Sequence, residues 1–249
     1  MSPSLNIAIL GASGTLGPFI LQAISAHPNA STVCLRILAR PTSVGRVKIL
    51  VEQHADLDLT VHVIDYTNGG AGLDSALQGV DVVISAVGDD SGLTKKDVKH
   101  TGLLPGFITQ DTVAKAAKAA GVKLFVPSEY GAPTHSIPLD SESYIVGKRL
   151  HHDLLRKLGL PFLLVYSGSF PETEPPVTPL PLQSTEAPIP LGEPPFETTR
   201  YHLAAYIVQL LFDHGIDAVG GGIYVLRGLR RDKGLISEET GKTEWVLDV

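Results

Sequence analysis

Residues 5–27 read "LNIAILGASGTLGPFILQAISAH", and the interpretation of this stretch decides the fold. The first six residues form a short apolar run of strand type, and the glycine turn after them opens a helical pattern from about Thr15 to His27. Pro18 is tolerable there, because the first turn of a helix has no use for the N–H that proline lacks. Glycines stand at positions 11, 14 and 17. Gly11 permits the sharp turn, Gly14 lets a pyrophosphate approach the main chain, and Gly17 lets the helix pack near the strand. The helix start then offers free amide groups and a positive dipole end to the phosphates. Gly11, Ser13, Gly14, Thr15, Leu16 and Gly17 are assigned on this basis to dinucleotide binding; the competing reading is a purely structural turn.

Working outward, the same alternation continues. "STVCLRILAR" (31–40) reads as a second strand, "VGRVKILVEQ" (44–53) as a helix and "LTVHVIDY" (59–66) as a third strand. A short helix around "GLDSALQG" precedes the strand "DVVISAV" (81–87), and the Ala-rich helix 106–121 is closed by Gly121. "VKLFVPSEYG" supplies a fifth strand, "YIVGKRLHHDLLRKLG" a helix and "PFLLVYSGSF" a sixth strand. Strands joined by crossover-sized helical segments specify an α/β fold, a doubly wound parallel sheet of Rossmann type spanning residues 1–170, with ligands outside the carboxyl ends of the strands. Beyond Phe170 the character changes: half of the 18 prolines fall between Pro171 and Pro195. Residues 171–249 are expected to form a small, proline-rich C-terminal substrate lobe: an irregular segment over the ligand edge, a helix at 198–214, the strand "GIYVLRG" and a carboxyl-terminal piece.

Bulk composition narrows the function classes. The chain has 249 residues, 43% hydrophobic and 18% charged, a formal charge of −6, and scattered basic residues. It shows no electrostatic footprint for nucleic acid or an anionic membrane surface, and no apolar run long enough to span a bilayer. The start "MSPSLNIAIL" lacks the basic and apolar regions of a signal peptide, and Cys34 is the lone cysteine, so a cytoplasmic protein is expected. No Cys/His metal spacing is present.

The tip of the second strand selects the nucleotide. A carboxylate there would hold a 2′-hydroxyl, whereas an arginine meets a 2′-phosphate. The strand ends in Arg40, followed by Ser43, Arg46 and Lys48, with no acidic residue, so NADP(H) is favoured over NAD. Arg40 and Lys48 are the 2′-phosphate candidates; the plainer reading of Arg40 is a solvated strand end. Asp65 with Tyr66, at the end of the third strand, is placed near the adenine, although Asp65 suits a turn nearly as well. Ala86, Val87 and Gly88 are expected along the adenosine.

"YIVGK" (144–148) sets Tyr144 and Lys148 four apart, on one face of a helix near that same edge. With a nicotinamide laid along that edge, this helix brings Lys148 to its ribose, as a cofactor-binding residue, and Tyr144 to the substrate; a tyrosine carries at neutral pH the proton that a carbonyl oxygen needs as hydride arrives, and a neighbouring ammonium stabilises the phenolate left behind. Ser128, at the end of the fifth strand, is the third catalytic candidate, a donor to the substrate oxygen. Tyr130, His135 and Phe170 are candidates for substrate contact. His151 and His152, on a charged helix, read as solvated surface residues.

"GASGTLG", Arg40, "GVDVVISAVG", the glutamine of "FITQDTVAKAAKAAGVKLFVPSEYG" and Lys148 thirteen residues before the proline of "GLPF" together resemble the isoflavone-reductase-like and NmrA-like branch of the atypical short-chain dehydrogenases. The resemblance covers residues 5 to about 170. It implies a Rossmann core with NADPH, a pocket made by the carboxyl-terminal part, a central catalytic role for Lys148, and "YSGSF" as a pocket-lining segment. Tyr144 belongs to the wider short-chain dehydrogenase pattern, so either Tyr144 or Lys148 transfers the proton. The part after Phe170 is short for the family, which leaves room for a site completed by a second subunit of a homodimer. Two functions follow: an NADPH-dependent reductase of a small, aromatic or secondary-metabolite carbonyl or enone, or a non-catalytic NAD(P)-binding redox sensor acting through a protein partner.

Overall fold

The computed structural model describes residues 5–66, 68–88, 105–139, 146–168, 170, 198–227 and 244–248. The chain divides into two compact units, one containing residues 1–128 and 134–162, the other 129–133 and 163–249.

The first unit is built on five parallel strands, β1 (Leu5–Leu10), β2 (Val33–Ala39), β3 (Asp58–Val63), β4 (Val82–Ser85) and β5 (Leu124–Val126), in the order β3-β2-β1-β4-β5. This is the Rossmann-type sheet expected from the sequence. β1 and β4 are central, and Ile7 to Leu10 and Val82 to Ser85 are fully buried, which is why these strands read as unbroken apolar runs rather than alternating ones. β3 is one edge: Val61 and Val63 are exposed, and the strand stops three residues before the expected Tyr66 because the Asp65 carbonyl accepts from the amides of Asn68 and Gly70 and turns the chain.

The helices follow their local signals. α1 (Gly17–Ala26) starts two residues later than expected, with Leu16 as its N-cap and Pro18 in the first turn, and stops because His27 precedes Pro28 and is extended. α2 (Val44–Gln53) and the short α3 (Leu73–Ala76) lie as expected. α4 (Pro105–Ala119) ends in a left-handed Gly121, with Val122 N–H donating to Ala117 O and Gly121 N–H to Lys118 O. α5 (Val146–Leu158) ends the same way at Gly159, with Leu160 N–H bound to Leu155 O. The Lys118 ammonium donates to Gly159 O at 2.8 Å and ties these two helix ends together. At the amino-terminal ends of the strands, Asp81 accepts from the Asn6 amide, the Asn6 side chain and Lys123, joining β1, β4 and the start of β5.

The second unit holds a three-stranded parallel sheet, β6 (Leu164–Tyr166), β7 (Ile223–Arg227) and β8 (Glu244–Asp248), in that order. β8 lies in the carboxyl-terminal piece that sequence left unassigned. The expected helix 198–214 is α6 (Arg200–Gln209) followed by a π-helical turn at Leu210–His214, and the short α7 (Ile216–Val219) leads to β7. α6 is capped by Thr199, whose side chain accepts from His202 N–H. The Gly168 amide donates to Gly131 O at 3.1 Å, which stitches residues 129–133 to the end of β6. The proline-rich stretch 171–197 lies outside the described residues. No helix among the described residues is long and apolar enough to cross a membrane.

Candidate cofactor and active site

The chain reverses direction in strand order between β3 and β4, and this leaves a crevice beyond the carboxyl ends of β1 and β4. Leu10 and Ser85 are register partners there, and Ala86 N–H donates to Leu10 O at 2.9 Å, so the two following loops run close together. Gly11 has φ 72°, and a Cβ on it would stand 2.5 Å from Ala86 O; on Gly17 it would stand 2.3 Å from Ala12 O. Neither position admits a side chain. Gly14 N–H closes the turn onto Gly11 O at 2.9 Å, and Gly14 and Thr15 are exposed while Leu16 is buried. α1 opens with no side-chain cap and no acidic residue in its first turn, which leaves its positive end unopposed. The space a Cβ would need at Gly11 and Gly17 is taken by the backbone of Ala86 and Ala12, so these two glycines serve the turn and the helix packing, whereas the exposed Gly14 is the position whose bare main chain fits the approach of a pyrophosphate.

Around the loop, Arg40 is half-buried at the end of β2, and its carbonyl accepts from the Ser43 amide and hydroxyl, so its backbone is fixed while Lys48 is exposed. Asp65 is exposed and forms the turn just described. Tyr66 is buried in the apolar cluster with Leu10, Leu38, Val83 and Phe125, a packing position. Ala86 is buried, Val87 half-buried and Gly88 exposed, so this segment passes from core to surface at the crevice.

Two consecutive residues of α4 organise the catalytic candidates. Gln110, buried, accepts the Ser128 amide at 2.8 Å through Oε1 and so fixes the backbone at the end of β5. Asp111 lies 2.5 Å from His151 Nδ1 on α5. The expectation that His151 and His152 are solvated is wrong: they are 1% and 0% exposed. His151 packs against the Phe125 ring and His152 stacks on Phe162. The reason is spacing, since 148, 151, 152 and 155 form one stripe of a helix, and that stripe, with Leu155 fully buried, is the inward one. Lys148 sits half-buried on it. This was readable at i, i+3, i+4 and i+7; the abundance of charge on α5 masked it. Tyr144 lies outside the described residues, so its relation to Lys148 is not part of this geometry.

The remaining candidates distribute unequally. His135 is half-buried in the loop after Pro133, within the first unit. Tyr130 and Phe170 belong to the second. Burial, and secondarily the neighbouring Glu129 carboxylate, push the Tyr130 phenol far above its ordinary range, so it remains a proton-bearing donor. Phe170 lies under the guanidinium of Arg200, 5.7 Å from ring centre to Cζ. Sequence reading gave Gln110 no role beyond the family resemblance and passed over Asp111.

A family model described as the NmrA-like family matches residues 3–178. The chain belongs to the NmrA-like family. Among relatives of this NmrA-like chain, an "NmrA-like family domain-containing oxidoreductase" of Gibberella moniliformis is 29% identical over 141 residues, covering 55% of this chain and 42% of that protein. "Asnovolin J 5′,6′-dehydrogenase" of Aspergillus novofumigatus is 32% identical over 133 residues, 53% of this chain and 35% of that one. The chain thus spans less than half the length of these two relatives. Among solved structures, the binary complex of leucoanthocyanidin reductase with NADPH from Vitis vinifera superposes with a TM-score of 0.62 at 19% identity, over 89% of this chain and 68% of that one. The NmrA-like relatives are thus named for oxidation and reduction, and this solved relative of the same fold carries NADPH.

Proposed function

We propose that this NmrA-like chain is an NADP(H)-dependent oxidoreductase, a reductase of a small aromatic or secondary-metabolite carbonyl or enone. The observation that carries the reading is the glycine turn between β1 and α1, with Gly14 exposed beside the uncapped start of α1 at the topological switch point. Gly11, Ser13, Gly14, Thr15, Leu16 and Gly17 would hold the pyrophosphate, Gly14 by letting it approach the main chain and the residues after it by the amides that open α1. Arg40, with Lys48, holds the 2′-phosphate, and residues 86–88 flank the adenosine. When bound, NADPH supplies the hydride.

The chain's own residues then handle charge and position. Lys148 presents an ammonium from the inward stripe of α5, where it donates a hydrogen bond, and finally a proton, to the oxygen on which negative charge gathers. Tyr144 is the alternative donor of that proton. Ser128 orients the same oxygen, with its backbone held by Gln110. The Asp111–His151 pair fixes the rotation of α5 about its axis and with it the direction of Lys148. Loss of the Lys148 ammonium should therefore abolish turnover without emptying the cofactor site.

The test is a titration with NADPH followed by a panel of aromatic enones and ketones. NADPH binding with oxidation by at least one panel member, lost in Lys148→Ala while NADPH affinity stays within a few-fold, is the expected result. Arg40→Ala should weaken NADPH far more than NADH; equal losses would place the 2′-phosphate elsewhere. Absence of NADPH binding would overturn the proposal.

A further inference from the structure

We infer that the outer side of β3, residues 58–62, is the seat of a second copy of this chain, paired with it strand to strand and antiparallel about a two-fold axis. The inference goes beyond the reductase reading, and neither cofactor binding nor turnover enters its test.

β3 stands at the end of the order β3-β2-β1-β4-β5, and among the described residues no strand pairs with its outer side. The other end of the sheet is met differently, since Phe125 of β5 bridges Phe162 and its amide donates to Pro161 O. An open edge presents a row of main-chain donors and acceptors, which folded chains blunt with lysine, proline, a bulge or a very short strand. β3 uses none of these. Its six residues read DLTVHV, and its register with β2 runs unbroken from Asp58 to Val63. It also leaves Val61 and Val63 38% and 54% exposed.

The ladder fixes which groups face outward. Ile64 N–H donates to Ala39 O, on the β2 side, at 2.8 Å. Successive residues of a strand turn N–H and C=O to alternate sides, so Thr60 and His62 serve β2 while Leu59 and Val61 turn theirs to the open edge. A second β3 can engage them only where outward residues face outward residues. With the two-fold axis at Thr60, Leu59 faces the copy's Val61, and each such pair exchanges its main-chain hydrogen bonds. The pairs between them, Thr60 with Thr60 and Asp58 with the copy's His62, are the close ones in which side chains meet. Asp58 and Thr60 are exposed and His62 is half-buried. The register therefore sets a carboxylate against an imidazole N–H twice by symmetry, and it brings Leu59 against Val61 on the opposite face. Moving the axis to Val61 or to Leu59 puts Asp58 opposite Ile64 or Thr60 and loses that match. A two-fold pairing of this kind uses one patch on both copies and closes at two.

The test is sedimentation equilibrium of the whole chain. A lone strand pair is a small interface, so a dissociation constant of about 10 μM is expected, with the mass rising from 26.4 kDa towards twice that value as concentration passes through it. Val61→Pro removes an outward donor and spares the bonds to β2, and it should weaken association at least about tenfold. His62→Asp sets carboxylates opposite each other and should do the same, while Asp58→Lys added to it should restore association. Circular dichroism confirms that the variants are folded. Hydrogen exchange gives a readout that needs no variant: the Leu59 and Val61 amides should become protected as concentration rises, whereas Thr60 and His62 stay protected throughout. A monomer at every concentration, association that survives Val61→Pro or His62→Asp, or failure of the charge swap to restore it overturns the inference. Protection of Leu59 and Val61 that ignores concentration would mean that another part of the same chain covers the edge, and overturns it equally.

Discussion

The two units spend their buried polar groups differently. In the first, they are largely committed to one another: Asp81 gathers Asn6 and Lys123 at the amino-terminal strand ends, Gln110 holds the Ser128 amide, and Asp111 holds His151. Ser85 Oγ and ring nitrogens of His135, His151 and His152 are buried there without a hydrogen bond. In the second, Ser167 Oγ, Thr198 Oγ1, His202 Nε2 and Gln209 Oε1 are buried without a hydrogen bond. A buried group held by a partner is costly to strip of it, whereas one without a hydrogen bond can be made apolar at little cost.

The largest expected effect tests whether chemistry resides on the first unit. Lys148→Ala should lower turnover by about 10³-fold, roughly 4 kcal/mol of barrier, with NADPH affinity nearly unchanged, measured by single-turnover kinetics and direct titration. Gly11→Ala comes next. Its Cβ would meet backbone at 2.5 Å and its φ of 72° suits only glycine, so about 2–3 kcal/mol of stability and at least about tenfold in NADPH affinity should be lost, read by urea unfolding and fluorescence titration. Asp111→Ala strips the partner from a buried histidine and should cost about 2 kcal/mol, and the same denaturation curves would show it; an unchanged midpoint would mean that the pair positions nothing.

Asp81 gives a smaller effect with a pH signature. Burial works to raise its pKa, but the hydrogen bonds from Lys123 and Asn6 outweigh this and hold it below the ordinary 3.8. A depressed folded-state pKa contributes stability that is fully present above the unfolded value and disappears as pH falls through the folded one. Asp81→Asn should therefore cost about 1 kcal/mol at pH 7, and the gap from the parent chain should shrink below about pH 4. The smallest effect is the sharpest contrast between the units. Thr198→Val removes a buried hydroxyl that has no partner, so stability should stay within about 0.5 kcal/mol or rise, opposite to the loss at Asp111.

Much of this was legible in the residues. Strands β1 to β5, the glycine turn and α1 to α5 announce themselves because each rests on local rules: a proline in a first turn, a left-handed glycine after a last one, an apolar run where both faces are covered. The family resemblance drawn from "FVPSEYG" and its neighbours is the family that the chain belongs to. The reading failed where local rules compete. On α5 a count of charges suggested solvent, yet the stripe through 148, 151, 152 and 155 decides burial, and a histidine is apolar enough to be buried once a carboxylate and an aromatic ring meet it. On α6, buried on nearly every side, periodicity had no contrast to report.

By itself, then, the order of residues determined the parallel α/β sheet, the switch point and the glycine turn after β1, since backbone conformation and apolar period are properties of neighbours along the chain. Only the tertiary structure decided which polar side chains find partners: Gln110 with the Ser128 amide and Asp111 with His151. Hydrogen bonds between residues 18 or 40 positions apart depend on how helices pack, and no local pattern encodes that distance.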